Sequence, residues 1–334
     1  MSTPQLLLTI ILSFWQTQKP VDAIHVEGYT MGTTYHITYF DDQTRNFKTS
    51  VDSLLQKVNH SINTYDPASE VSRFNTSKRG IAFELSHLRI IIKKSQEVYK
   101  ASNGAFDPTV MPLVNAWGFG PGKNLTMNKA RIDSLKSFIG FEKIRITSDS
   151  LIKLDPRVQL DFGGIGQGYG ADVIASFLQS KGIKNLLIEL GGEGIAMGKN
   201  IQKDKNWTIG ILDPNSTRDN QFFKAYAEVK DQAYTTAGNY FNYREINGKK
   251  YSHTIDPTSG YPSDLPLLSA SVFAKDCTAA DAWDTAFMVM GHTKSIKFLK
   301  QHRDLNAILM YTSHTGPIEI FSTPGIKDQV TLER

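Results

Sequence analysis

Asp281 and Thr285 stand four residues apart in a stretch of helical character, so a carboxylate and a hydroxyl share one face. Such a pair can hold a magnesium ion whose other ligands are water, backbone and phosphate oxygens. The same segment, Thr278-Ala279-Ala280-Asp281, also reads as a capping box in which Asp281 only closes a helix end. Asp284 points to another face and is expected to be solvated or ion-paired. Upstream lies a glycine-rich run, Gly163-Gly164-Ile165-Gly166-Gln167-Gly168-Tyr169-Gly170, between an expected strand (Val158–Phe162) and a helix. Its spacing is not G-x-G-x-x-G, and no acidic residue closes a second strand at the right distance, so the dinucleotide fingerprint is not met. The glycines either bring backbone N–H groups to a diphosphate at a helix N-terminus or serve a tight strand-to-helix packing turn. His253 and Asp256, in Tyr251-Ser252-His253-Thr254-Ile255-Asp256-Pro257, stand at a strand end before a turn. Histidine titrates where a hydroxyl nucleophile needs a proton partner, though such a residue also stabilises turns. Asp107, between Phe106 and Pro108, is either a ligand contact or a turn carboxylate.

The elements that must carry these groups follow from pattern. His25–Phe40 reads as strand, glycine turn, strand. Ser50 is expected to cap a helix with Val51, Leu54, Leu55, Val58 and Ile62 on one face. Residues 63–75 read as a polar loop, 86–101 as a helix stopped by Asn103-Gly104, and 104–123 as an ordered loop close to a site. After the glycine run come a helix ending at Lys181-Gly182, a strand at Asn185–Leu190 and a second glycine turn, Gly191-Gly192-Glu193-Gly194. Strands are expected at Trp207–Leu212, Phe223–Val229 and Tyr240–Ile246, with Asn247-Gly248 a hairpin turn. Helices near 278–291 and 293–302 and strands at Ala307–Tyr311 and Pro317–Phe321 close the chain. Interleaved helices and hairpins define a compact, two-lobed α+β fold with mainly antiparallel sheets and packed helices.

Bulk properties narrow the function. The 334 residues carry a net charge of only +4 without a Lys/Arg cluster, so no nucleic-acid footprint is present. With 40% hydrophobic and 21% charged residues the chain can bury a sizeable core. The single cysteine, Cys277, permits neither an internal disulfide nor a zinc spacing. Any metal is therefore held by oxygen or His ligands, which favours a hard cation. The apolar run Leu6–Trp15 is too short for a membrane span and fits the core of a signal peptide, although no Lys or Arg precedes Lys19. We expect residues 1–20 to be a signal peptide and 21–334 the catalytic domain; a buried N-terminal strand or helix is the other reading of that run. No cysteine follows it that would carry a lipid anchor.

In register, these segments resemble the FAD:protein FMN transferase family, the ApbE-like proteins. The resemblance spans roughly 25–323 and rests on Tyr29-Thr30-Met31-Gly32-Thr33-Thr34-Tyr35, Asn63-Thr64-Tyr65-Asp66-Pro67 with Ser72-Arg73-Phe74-Asn75, and Gly104-Ala105-Phe106-Asp107-Pro108-Thr109 with Trp117-Gly118-Phe119-Gly120. It continues through the glycine loop, Gly191-Gly192, Thr236 with Gly238, Tyr251-Ser252-His253 with Asp256-Pro257, and Ala280-Asp281 with Thr285. The resemblance implies magnesium-dependent transfer of FMN from FAD to a Thr or Ser hydroxyl, leaving AMP. Its implied partners are FAD and a flavin-accepting subunit of a membrane redox complex, with the chain periplasmic or on the outer face of the inner membrane and peripheral association allowed. Carried over by position, Asp281 and Thr285 match side-chain metal ligands, and Gly166 stands where an alanine usually ligates through its carbonyl. Met31, Tyr65, Phe106, Asp107, Gly163, Gly164, Gln167 and Thr236 match positions lining the FAD site, and His253 the histidine near the reacting phosphate. Gln167 replaces a common lysine, Glu193 a common aspartate and Ala237 a common serine. These departures leave FAD hydrolysis to FMN and AMP, and flavin binding without turnover, as the alternatives to transfer.

Overall fold

The computed structural model describes residues 22–333 apart from 218, 240–242, 247–248 and 314–315. The expected signal peptide, the start of the expected Tyr240 strand and the Asn247-Gly248 turn lie outside the described residues. The chain opens with β1 (Ala23–Thr30) and β2 (Thr33–Phe40), joined by Met31 and Gly32 with φ of 50° and 77°. Two consecutive positive-φ residues make the turn whose twist matches that of antiparallel strands. Next come α1 (Lys48–Ile62), α2 (Glu70–Thr76), β3 (Gly80–Ala82), α3 (Ser86–Ala101), α4 (Met111–Trp117), α5 (Lys129–Lys136), β4 (Ile144–Ile146) and β5 (Ser150–Lys153). Helix α6 (Gly166–Ser180) leads into β6 (Leu186–Leu190), β7 (Glu193–Met197), β8 (Trp207–Leu212), β9 (Phe223–Val229) and β10 (Gln232–Gly238). The hairpin β11 (Tyr243–Ile246) and β12 (Lys249–Ser252) precedes β13 (Leu267–Ala274) and the long α7 (Cys277–Leu299). The chain closes with β14 (Asn306–Thr312), β15 (Ile318–Ser322), α8 (Pro324–Lys327) and β16 (Val330–Leu332).

One eight-stranded sheet, ordered β1-β2-β6-β7-β10-β13-β14-β15, forms the middle layer, and every neighbouring pair in it is antiparallel. Helices α6 and α7 cover one face, where Ile174, Leu178, Leu190, Val272 and Phe287 are buried. The small sheet β16-β9-β8 covers the other through Trp207, Ile211, Val229, Phe273 and Met310. The fold is thus α+β with antiparallel sheet, as expected, and three layers deep. Its middle strands are buried on both faces, so β13 reads Leu267-Leu-Ser-Ala-Ser-Val-Phe-Ala274 without polar alternation.

Four local expectations change. Ser50 does not cap α1, which starts at Lys48 after Phe47; Asn46 Oδ1 accepts the Lys48 N–H at 2.9 Å instead. The 63–75 stretch holds α2, because the Ser69 hydroxyl accepts the Ser72 N–H at 3.1 Å and starts a helix within a polar window. Residues 104–123 contain α4, closed by Gly118 in the left-handed region. Val158–Phe162 is not a strand of a sheet: only Gln159 forms a bridge, to Val110. There Asn75 does the work of a neighbouring strand, taking the Leu160 N–H at 2.7 Å and donating to the Leu160 carbonyl at 2.9 Å. The two helices expected near 278–291 and 293–302 are kept as the two halves of α7, which break at Gly291 (φ 74°), where Leu265 Cδ1 fills the space a side chain would need.

Candidate functional site

The site forms where the start of α6 meets the first turns of α7. Asp172 on α6 fastens the two: its Oδ1 accepts the Cys277 N–H at 2.9 Å, and its Oδ2 accepts the Thr278 N–H at 2.8 Å and the Thr278 hydroxyl at 2.5 Å. The N-cap of α7 is Asp276, whose carboxylate accepts the Ala279 N–H at 2.8 Å. Asp281 is therefore free of the capping role its segment also allows. Its Oδ2 instead accepts the Gly168 N–H across the helix interface at 2.8 Å. Thr285, one turn on, faces Gly164 so closely that an added Cβ there would lie 2.6 Å from its Oγ1. Asp281, Thr285 and the glycine run thus converge on one spot, with Gly166 opening α6 between the two contacts.

Close approach, not left-handed backbone, explains these glycines. Positive φ occurs at none of Gly163, Gly164, Gly166, Gly168 and Gly170. A Cβ on Gly168 would overlap the Cys277 carbonyl oxygen and sit 2.8 Å from Asp281 Cβ, whereas one on Gly166 would meet only Ile62 Cδ1, at 3.2 Å. Packing and ligand access are served by the same run: Gly168 lets the helices touch, while Gly163 is exposed and its N–H donates to Asp161 at 3.0 Å.

Electrostatically the spot is acidic and dry. Burial pushes the Asp281 carboxyl up to about 7 despite the Gly168 N–H. Asp284 was expected to be solvated or ion-paired, yet α7 is enclosed here and Asp284 is 1% exposed, with no hydrogen-bond partner for its Oδ1. Burial and the neighbouring Asp281 raise it well above the carboxylate range, with partial relief from Thr235 and Thr285. Glu193, at the start of β7, is likewise raised by burial and by Asp281 and Asp284, and its Oε2 has no hydrogen-bond partner. Uncompensated carboxylates in a low-dielectric spot call for a proton or a cation. Among the described residues no three His, Cys, Asp or Glu side chains form a metal cage. A cation at Asp281 and Thr285 would therefore complete its shell from backbone, water and phosphate oxygens, the ligand habit of magnesium.

The remaining expected site residues do not all gather at this spot. Met31 and Gln167 border the glycine run: Met31 Cε lies 3.2 Å from where a Cβ on Gly170 would be, and Gln167 Nε2 is 2.9 Å from the same point on Gly191, at the double-glycine turn. Tyr65 is 67% exposed, donates to the Phe119 carbonyl at 3.2 Å, and has its phenol raised by burial and by Asp161. Phe106 is part of the buried core instead of presenting an open ring. The hydroxyl of Thr236 bonds Ser271 at 2.8 Å on the sheet face opposite α7; the strand pleat makes its neighbour Thr235 the residue beside Asp284. His253 follows β12 and is half-buried. Asp256 shapes the turn after it, its Oδ1 accepting the Thr258 N–H at 2.8 Å. Glu193 is marked by the double glycine before it, whereas Asp172 has no motif; an acidic residue inside an otherwise apolar, small-residue segment is the one signal available there.

Asp107 is buried and accepts the Thr109 N–H and hydroxyl on Oδ1 at 2.8 and 2.7 Å; burial pushes it up to about 6. A raised carboxyl keeps its proton when folded over a range where the unfolded chain has lost it. Stability therefore falls as pH rises from about 4 through 6. Asp107→Asn is expected to match the parent in urea unfolding near pH 4 and exceed it by on the order of 2 kcal/mol at pH 7.5. Equal stability of the two proteins at pH 7.5 would contradict this.

This topology, with a carboxylate–hydroxyl pair set against a glycine-rich helix start, is that of a class of enzymes. The chain belongs to the ApbE family, whose model matches residues 31–309. It is 36% identical to the FAD:protein FMN transferase of Vibrio cholerae over 286 residues (84% of this chain, 85% of that one). It is 32% identical to that of Haemophilus influenzae over 308 residues (88% of each). Among solved structures it is similar to the flavin transferase ApbE from Vibrio cholerae, with a TM-score of 0.83 and 32% identity over 93% of this chain and all of that one. The apo flavinyl transferase ApbE of Pseudomonas stutzeri gives a TM-score of 0.81 at 28% identity, over 92% of this chain and 97% of that one.

Proposed function

We propose that this chain transfers the FMN half of FAD onto a Thr or Ser hydroxyl of an acceptor protein and releases AMP, in a magnesium-dependent reaction. Its relatives carry the name of that activity, and the convergence of Asp281, Thr285 and the glycine run supports it most directly. A diphosphate can approach the buried carboxyls of Asp281, Asp284 and Glu193 only where these keep their protons or a cation stands between, and Gln167 stands where a lysine would have supplied charge. Asp281 and Thr285 are the side chains that would hold magnesium, which would neutralise phosphate oxygens and polarise the phosphorus.

In the reaction the acceptor oxygen bonds to the FMN-side phosphorus, and the bond from that phosphorus to the bridging oxygen breaks. AMP leaves with the bridging oxygen, and the hydroxyl proton passes to His253. The α6 N-terminus would turn the positive end of its dipole to the phosphates while its Gly168 N–H stays with Asp281, and Tyr65 offers an exposed ring for the flavin. The apolar run Leu6–Trp15 supports export, which would place the acceptor outside the cytoplasm, on a subunit of a membrane redox complex.

The test follows AMP release from FAD by chromatography, with magnesium or with excess chelator. AMP formation is expected only with magnesium, and His253→Ala is expected to slow it by about a hundredfold or more. Intact FAD in the presence of magnesium and acceptor would sink the proposal; unchanged rates under chelation would remove the metal from it.

A further inference from the structure

The Trp117-Gly118-Phe119-Gly120 motif has no part in the chemistry above, yet the structure gives Trp117 an unusual set of contacts. It is the last residue of α4 and is 5% exposed. Its ring packs against those of both Tyr251 and Tyr261, with centroids 5.3 and 5.9 Å away. Its indole N–H donates to the Gly260 carbonyl at 2.9 Å. Its own carbonyl and that of Gly118 accept from Arg244 Nη1, at 3.3 and 3.1 Å. Arg244 is the cross-strand partner of Tyr251 in the β11–β12 hairpin.

Tyr251 and Gly260-Tyr261 are the two ends of the segment that carries His253 and Asp256. Between them the backbone closes on itself: Asp256 N–H donates to the Tyr261 carbonyl at 2.9 Å, and Gly260 N–H to the Asp256 carbonyl at 2.8 Å. Ile255 packs in the same apolar cluster as Trp117. Two residues beyond Trp117, the Phe119 carbonyl accepts the Tyr65 hydroxyl. One side chain thus holds both ends of the histidine segment and continues through its backbone to the exposed Tyr65.

We propose that Trp117 is a positioning residue for flavin transfer: it sets His253 relative to Tyr65, with Arg244 clasping the end of α4 in place. The inference rests on the transfer reading and on the proton role of His253 within it. Misplacing a reacting group by about 1 Å costs on the order of a hundredfold in rate. Loss of the clasp should therefore appear in kcat and leave FAD binding nearly untouched.

The experiment is a double-mutant cycle in the full chain, with FAD, magnesium and an acceptor domain. Trp117→Leu is expected to lower kcat by roughly ten- to a hundredfold with the KM for FAD within about twofold. In a His253→Ala background the same change is expected to lower it by less than about twofold, because the group it positions is gone. Trp117→Phe, which keeps an aromatic ring, though a smaller one, and loses the N–H donor, should fall between. If Trp117→Leu fails to fold in thermal melts, Trp117→Phe and Arg244→Met carry the same cycle. Equal losses with and without His253, or a loss confined to KM, would overturn the proposal. Wild-type activity in His253→Ala alone would also overturn it and leave transfer standing, whereas a wild type that attaches no FMN would overturn the transfer reading itself.

Discussion

Asp281→Asn is expected to lower magnesium-dependent FAD cleavage by about a hundredfold to a thousandfold without unfolding the protein. The substitution keeps the side chain's volume and an oxygen for the Gly168 N–H, so the α6–α7 contact survives. It removes the charge that would hold the cation. It also removes a buried carboxyl that protein packing holds up at about 7. Above neutral pH the metal-free parent bears the cost of ionising that group, so the metal-free variant should melt no lower than the parent. Magnesium should then raise the melting temperature of the parent by binding the folded state, and leave that of the variant unmoved. Melts and FAD cleavage rates across a magnesium titration check both halves. A variant with parental rates and a parental magnesium response would show that Asp281 serves only the helix interface.

Gly168→Ala is expected to be the most damaging single-methyl change in the site, at about 3 kcal/mol or more of stability. The added carbon would meet backbone, the Cys277 carbonyl oxygen, and the Cβ of Asp281, neither of which can rotate away. The helices must part, and with them the spacing of Asp281 from the glycine run. Gly166→Ala is the control. Its methyl meets only the end of the Ile62 side chain, and alanine favours a helix by about 1 kcal/mol over glycine, so the net change should stay within about 1 kcal/mol. Urea unfolding of both variants separates a run kept for helix packing at Gly168 from one in which every glycine is equally needed.

Much of this was legible before the structure because single-faced periodicity is easy to read. Helices α1, α3 and α6 each bury one face, and Asn103-Gly104 and Gly291 mark a stop and a kink by left-handed backbone. The i, i+4 relation of Asp281 and Thr285 also survives folding intact, because it is set by the helix alone. The illegible parts are those where tertiary surroundings overrule the pattern. Helix α7 is buried around most of its circumference, so a residue on a second face, Asp284, is as dry as Asp281. Strands β10 and β13 lie between two layers and lack alternation, which left the facing of Thr235 and Thr236 undetermined until the register with Ser271 was seen. Glu70 hides α2 in a similar way. It is a charged residue in a polar window, yet it is buried, accepting the Ser61 hydroxyl at 2.6 Å and the Glu84 N–H at 2.8 Å.

At the proposed site, transfer and hydrolysis would differ only in whether a protein hydroxyl or water attacks the FMN-side phosphorus, and flavin binding alone would leave FAD intact. Intact-mass analysis of an acceptor domain incubated with this protein, FAD and magnesium tests the difference most directly. Transfer predicts one added FMN on a Thr or Ser of the acceptor, one AMP released for each, and neither product when magnesium is chelated. An unmodified acceptor, whether beside free FMN and AMP or beside intact FAD, would contradict it.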